Sequence, residues 1–188
     1  MMVWLTQLAM PILLAAVAVF VASSIIHMVL KYHNSDYRPL PNEDEVGAAM
    51  RKGNLAPGQY TIPFCQDMKE MAKPEMVAKY ASGPVALMLV RKPGPINMGP
   101  YLGQWFLLNL VIAVFCAYLA GRTLGPGAEY LSVFRVTGTV AFLAYAGGGW
   151  SAGIWMGVPW RAVWKATFDG LVYGLVTGGV FGWLWPMA

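Results

Sequence analysis

The chain has 188 residues, of which 57% are apolar and only 12% are charged, about half the charged share of roughly 25% that is usual in globular proteins. The formal net charge of +4 is segregated: nine of the 13 Lys and Arg and seven of the nine Asp and Glu lie between Lys31 and Lys92. This composition predicts an integral membrane protein, and the absence of an arginine–aromatic stripe or zinc-ligand spacing argues against nucleic acid as a partner.

The first apolar run extends from Val3 to about Leu30 and predicts that segment 1–30 is a transmembrane helix. About 20 residues suffice to cross a hydrocarbon layer of about 30 Å. The run is too long for a secretory signal peptide, and it lacks a cationic start and a small-residue cleavage site. Pro11, in its first half, is a candidate position for a kink.

Residues 31–100 form a polar excursion, which predicts a small α+β element outside the membrane. Asn42 and Glu45 have the spacing of a capping box, so a helix should begin there. The element is too small to bury much core alone, and it should rest on the membrane helices or on a partner. The predicted elements are a helix over 42–52, a strand over 59–64, a helix over 74–83 and a strand over 84–90.

Three further apolar runs, over about 102–121, 130–157 and 163–185, predict transmembrane helices 2–4 within segment 101–188. The predicted fold is therefore an all-α membrane protein: a four-helix transmembrane bundle with the α+β excursion between spans 1 and 2. Four spans place both termini on one side of the membrane and the excursion on the other. Cations near the helix ends on the excursion side predict that 31–100 is cytoplasmic, in a bacterial-type inner membrane.

Glycine recurs at every fourth position of the last run, at Gly170, Gly174, Gly178 and Gly182. In water each interior glycine costs up to ~1 kcal/mol relative to alanine, but a bilayer drives the segment helical. Residues four apart share one helix face, so this glycine ladder predicts a groove that another helix can approach closely. Gly149 and Gly153 give the third run a similar seam. The seams either close the chain's own bundle or contact another subunit.

Ionisable groups inside apolar runs are costly and are therefore candidate functional residues. Asp169 follows Lys165 by four residues, which predicts a local ion pair; an inter-helix or subunit contact and a role in proton or ion handling are the alternatives. Arg135 should snorkel to the opposite side or meet a lipid phosphate or a partner carboxylate. His27 and Asn109 should share a bilayer level with Asp169, and His27 could bond to either. This layer is either ordinary interfacial polarity or a functional pocket under the excursion.

One string of the excursion contains Cys65, Met68 and Met71, which would share a face if the string were helical. Their sulfur atoms are soft donors that suit Cu(I). Methionine is also an adaptable apolar filler, so packing of this face is the first interpretation and copper binding the second. Neither histidine has metal-ligand spacing with the other on one helix face, no facing pair predicts haem, and no cofactor is predicted.

No catalytic motif is present in the sequence, and we do not expect an enzyme. The leading hypothesis is an accessory, scaffold or assembly subunit of a larger membrane complex, or a homo-oligomer, acting through helix packing. Its partners would be the lipid bilayer and other membrane subunits or further copies of the chain. The second hypothesis is a small transporter or channel that uses the polar layer of His27, Asn109 and Asp169. The third is a Cu(I)-handling membrane protein.

Overall fold

A computed structural model describes residues 2–187, which are mostly helical and include a small two-stranded sheet. In the described part of the chain, three helices are long and apolar enough to cross a membrane: Leu5–Leu30, Met98–Thr123 and Tyr130–Met156. The last long helix, Trp160–Trp183, has 24 residues but carries three charged side chains in its first ten. The membrane character predicted from composition is thus found in three of the four predicted spans.

The first membrane helix changes its winding along its length. A 3-10 turn over Leu5–Leu8 leads into α1 over Ala9–Ser24, and a π-helical segment over Ile25–Leu30 completes it. Pro11 is the third residue of α1, where its missing N–H leaves no helix hydrogen bond unmade. The proline therefore lies just after the change from 3-10 to α winding, rather than inside a continuous α-helix.

Local sequence determines where the remaining long helices begin and end. The Asn97 side chain accepts a hydrogen bond from the Gly99 N–H at 3.1 Å and caps α4, which covers Met98–Thr123. The next helix, α5, covers Tyr130–Met156 and ends at Gly157, whose φ of +70° is the left-handed conformation that glycine adopts most readily. After a short turn, α6 covers Trp160–Trp183.

The glycine ladder of α6 lies against α5 of the same chain. A Cβ atom added to Gly170 would lie 2.9 Å from the Cβ of Ala146, and one added to Gly174 would lie 2.9 Å from the carbonyl oxygen of Gly138. Real Cβ atoms do not approach this closely. The two backbones are therefore in contact at these positions, and only glycine fits at this separation.

The second half of the ladder makes the same kind of contact. A Cβ at Gly178 would meet the Phe134 carbonyl oxygen at 2.9 Å, and one at Gly182 would meet the Tyr130 ring at 2.7 Å. The Gly149 and Gly153 seam lies further along the helix pair, where a Cβ at Gly153 would be 3.0 Å from the Val163 side chain. Sequence spacing thus located the close-packed face, but the face it meets on α5 is not the Gly149 and Gly153 seam.

Residues Pro39–Ile96 form a compact unit of their own. It contains two helices and two strands: α2 over Glu43–Lys52, β1 over Gly58–Ile62, α3 over Pro74–Ser82 and β2 over Ala86–Val90. The strands pair antiparallel, with Gly58 opposite Val90 and Ile62 opposite Ala86. The predicted order of helix, strand, helix and strand is therefore present, and we call this sheet the ribbon.

The predicted capping box at the start of α2 is wrong. The Asn42 side chain makes no cap hydrogen bond to the backbone. Its Nδ2 donates instead to the Glu45 Oε2 at 3.3 Å. The amide and the carboxylate satisfy each other directly, so the helix begins where predicted without the predicted bonds.

Candidate functional site

A group of polar side chains meets where the first membrane helix ends. The backbone leaves this helix at Lys31, whose φ of +52° is in the left-handed region, and Tyr32–Asp36 then form one 3-10 turn. This turn belongs to the helical unit and contacts α6. We call the group the turn cluster; its members are His27, Tyr32, His33, Asp36, Lys165 and Asp169.

Lys165 binds three acceptors of the turn. Its Nζ donates to the Tyr32 backbone oxygen at 2.8 Å, the Ser35 Oγ at 2.8 Å and the Asp36 Oδ1 at 2.5 Å. All three ammonium protons are therefore used. Only 16% of the Lys165 side chain and 9% of the Asp36 side chain are exposed, so water and salt screen this ion pair weakly.

The Asp169 carboxylate accepts one hydrogen bond on each oxygen. The Tyr32 hydroxyl donates to Oδ1, and the Nε2 of His33 lies 2.7 Å from Oδ2. Only 6% of the Asp169 side chain is exposed. A buried carboxylate is tolerated when its oxygens are paired in this way, and the turn is thereby tied to α6.

The two histidines of the cluster are stacked. Their ring centroids are 4.9 Å apart with an interplanar angle of 1°. The Nδ1 of His27 lies 3.0 Å from the Ser23 carbonyl oxygen, which can only accept, so Nδ1 carries the proton and a neutral ring keeps its lone pair on Nε2. The Nδ1 of His33 lies 2.8 Å from the Asp36 Oδ2.

The formal charges of the turn cluster do not cancel. With both histidines neutral, two carboxylates and one ammonium leave one negative charge in excess. A proton on His33, between Asp36 and Asp169, or a bound cation would balance it. Burial raises the pKa of Asp36, but hydrogen bonds and positive charge from Lys165 and His33 outweigh burial and hold the pKa below its usual value. Asp36 is therefore an ionised acceptor at neutral pH.

Three side chains of the cluster have the separation that a metal ion requires. One candidate ligand atom each from His27, His33 and Asp169 lie within 4.8 Å of one another. His27 is exposed, His33 is half-buried and Asp169 is buried. His27 also lines an open groove of about 420 Å³ between the end of the first membrane helix and the start of α4. The cluster is thus accessible from this groove through His27.

The predicted ion pair between Lys165 and Asp169 is wrong, because the turn offers each of them other partners. Lys165 pairs with Asp36, and Asp169 bonds to Tyr32 and His33. The predicted hydrogen bond of His27 to Asp169 or Asn109 is also not found, since its ring bonds to the backbone of its own helix. His27 and Asp169 are nevertheless neighbours, with candidate ligand atoms within 4.8 Å of each other.

Asn109 lies in a second buried polar group. Its Oδ1 accepts a hydrogen bond from the Tyr145 hydroxyl at 3.1 Å. Its Nδ2 and the Tyr173 hydroxyl have no hydrogen-bond partner among residues 2–187. Tyr173 follows Asp169 by one helical turn on α6 and contacts the rings of Tyr145 and Trp105. The predicted polar layer is therefore divided into the turn cluster and this buried group.

Arg135 lies apart from both polar groups. Its side chain is exposed on α5, beside a shallow groove of about 210 Å³ whose lining includes Thr139 and Gly174. Within residues 2–187 no hydrogen bond or ion pair involves this guanidinium. The snorkelling, lipid contact or partner contact expected of Arg135 stays a prediction, and Asp169 bonds to the turn.

The helical face proposed for Cys65, Met68 and Met71 does not exist. Cys65 lies in irregular backbone, and only Met68–Glu70 form a single 3-10 turn. The Cys65 thiol donates to the Asp67 carbonyl oxygen at 3.1 Å, and Met68 is 80% exposed. The premise that three sulfur atoms share one face is therefore wrong, and with it the geometric argument for a Cu(I) site.

Three important members of the cluster were missed as site residues: Tyr32, His33 and Asp36. They follow the first apolar run in the string Tyr32-His33-Asn34-Ser35-Asp36, and the available signal was this density of titratable groups at a predicted membrane interface. Their contact with α6 depends on the left-handed backbone conformation at Lys31. No pattern of residues in the sequence predicts this conformation.

No protein-family model, no curated protein and no solved structure matches this chain.

Proposed function

We propose that this chain is a non-enzymatic, multi-pass membrane protein that acts as an accessory or assembly subunit of a larger membrane complex. The observation that carries the proposal is the surface of residues 39–96. All of these residues are described, and none of them is buried. A unit of this size with no buried residues has no core to stabilise it. We therefore infer that another surface covers part of it.

The ribbon offers the most regular part of that surface. Leu87 and Leu89 are two residues apart on β2 and therefore point to the same face; they are 47% and 69% exposed. The residues opposite them on β1 are Thr61 and Gln59. Two-stranded ribbons are marginally stable in water, and an exposed apolar face of this kind is typical of an interaction site.

The helical unit is suited to a supporting role. Its ladder contacts are made within the chain and hold α6 in close contact with α5. We propose that α6 is a fourth membrane span, completing the four-helix bundle. Its charged side chains Lys165 and Asp169 are paired with Asp36 and His33 of the turn, which lowers the cost of placing them at the membrane boundary.

A double variant of the ribbon tests the subunit role. We expect the chain, extracted from its native membrane in mild detergent, to migrate on native gels as a complex heavier than its own 20.5 kDa plus detergent. Leu87→Gln with Leu89→Gln should shift at least half of it to the single-chain position, because the apolar contact area is lost. The single-chain material should remain helical by circular dichroism.

Val77→Gln is the matched control, because Val77 is also exposed, at 52%, but lies on α3 rather than on the ribbon. This variant should leave the complex intact. A heavy complex that persists in the ribbon variant, or a parent chain that is always single, would contradict the proposed role. A heavy species containing only this chain would identify a homo-oligomer instead of a larger complex.

The four-span arrangement makes a separate prediction about sidedness. In a Cys65→Ser background, Gly53→Cys and Met187→Cys should be labelled by a membrane-impermeant thiol reagent from opposite sides of sealed vesicles. Labelling of both from one side would show that α6 does not cross the membrane together with the other three helices.

A small transporter is the second candidate, and the unpartnered buried groups of Asn109 and Tyr173 favour it. Buried polar atoms without protein partners are where water or a transported ion is accommodated. In proteoliposomes, a proton or ion flux that falls at least tenfold in Tyr173→Phe would support this function. Flux equal to that of empty liposomes would exclude it for the ions assayed.

A further inference from the structure

We propose that His27, His33 and Asp169 bind one divalent transition-metal ion of the Zn²⁺ class at the membrane boundary. This inference does not depend on the subunit role. The donor set is two imidazole nitrogens and one carboxylate oxygen, which suits Zn²⁺ and its neighbours in the first transition row and not Mg²⁺ or Ca²⁺. The three candidate ligand atoms already lie within 4.8 Å of one another.

Both histidines have the outer hydrogen bond that is usual for metal-binding imidazoles. The Nδ1 of His27 is bonded to the Ser23 carbonyl oxygen and that of His33 to the Asp36 carboxylate. Such partners leave Nε2 as the ligand atom. The two rings lie in parallel, stacked planes, with an interplanar angle of 1°. Because a metal ion lies near the plane of each imidazole that binds it, one ring must rotate out of the stack for both Nε2 atoms to bind the same ion.

The metal would replace the proton that now joins His33 to Asp169. Their Nε2 and Oδ2 atoms are 2.7 Å apart. Two ligands bound at about 2.1 Å in tetrahedral geometry are about 3.4 Å apart, so this pair must open by about 0.7 Å. The His27 ligand atom, which lies within 4.8 Å of the other two, must move closer by up to about 1.4 Å. The proton leaves to solvent, and the positive charge of the metal ion then balances the Asp169 carboxylate.

The site would keep part of its coordination sphere open. Three protein donors fill three of the four positions of a tetrahedral ion. The Tyr32 hydroxyl is bonded to the other oxygen of Asp169, where it orients the carboxylate. The groove of about 420 Å³ lined by His27 gives a path for the ion and for a further small ligand.

Binding of Zn²⁺ to the purified full-length chain in detergent tests the inference. After treatment with a chelator, the chain should take up about one equivalent of Zn²⁺ in equilibrium dialysis, and none of Mg²⁺ at the same concentration. Co²⁺ should show the visible ligand-field bands of a site with nitrogen and oxygen donors. Cys65→Ser should bind like the parent, because the sulfur-containing string is not part of the site.

His27→Gln is the decisive variant. The His27 ring is hydrogen-bonded to the backbone of its own helix, so the bonds among Tyr32, His33 and Asp169 should survive the change and the chain should fold. Zn²⁺ affinity should nevertheless fall by about 100-fold or more, since even loss of an outer hydrogen bond costs 10–100-fold. Asp36→Asn should weaken binding by about 10–100-fold. Absence of stoichiometric uptake by the parent, or affinity unchanged in His27→Gln, would overturn the proposal.

Discussion

Gly174→Leu and Gly178→Leu should each destabilise the single chain by about 1–3 kcal/mol, the usual cost of overpacking, and the double variant by more. At both positions the atom in the way is a backbone carbonyl oxygen, 2.9 Å from the added Cβ. A carbonyl of α5 cannot rotate away as a side chain does, so the helices must separate. Unfolding of the detergent-solubilised monomer in increasing SDS, followed by circular dichroism, measures the loss.

Gly147→Leu provides the control within the partner helix. A Cβ at Gly147 would have no other heavy atom within 4 Å, and leucine favours the helical state over glycine by up to ~1 kcal/mol. Its stability should therefore be equal to or above that of the parent. If the ladder variants were as stable as this control, α6 would not be held to α5 through its glycines.

The ladder illustrates what sequence could provide. A repeat of four residues is a property of one helix, so Gly170, Gly174, Gly178 and Gly182 could be assigned to one close-packed face from the printed chain alone. The partner surface includes Phe134 and Phe142, large residues that no rule of small-residue seams selects. Close approach there depends on where the backbone of α5 runs, and this is a tertiary property.

The contacts within the turn cluster, in contrast, could not be predicted from the sequence. Asp169 and His27 were recognised because charged and ionisable groups are costly in apolar segments. Their arrangement depends on one left-handed residue, Lys31, and on a single 3-10 turn. The turn places Asp36 beside Lys165, so Lys165 pairs with Asp36 and not with Asp169, the partner that was expected. Local spacing on a helix could not predict this, because the competing acceptors lie more than 100 residues away in the chain.

Lys165→Met should cost about 2–3 kcal/mol of stability in buffer containing a chelator. Removal of one partner from a fully buried ion pair costs about 3–5 kcal/mol, mainly because the other charge is left unpaired. The value here should be lower, since 16% of the Lys165 side chain and 9% of the Asp36 side chain remain exposed. A double-mutant cycle with Asp36→Ala isolates the pair from the other two bonds of Lys165.

The chain contains its own reference for this measurement. Lys73 and Glu70 are 2.6 Å apart, almost the same distance as Lys165 and Asp36 at 2.5 Å, but their side chains are 62% and 51% exposed. Exposed pairs contribute about 0–1 kcal/mol, so the Lys73–Glu70 cycle should give a smaller coupling energy than the cycle on the buried pair. Equal coupling energies in the two cycles would mean that the contact between the turn and α6 is as well solvated as the protein surface. The Lys165–Asp36 ion pair would then contribute little to holding the turn on α6, and the contact would depend on the Tyr32 and His33 bonds to Asp169 and on the Lys165 bonds to Tyr32 and Ser35.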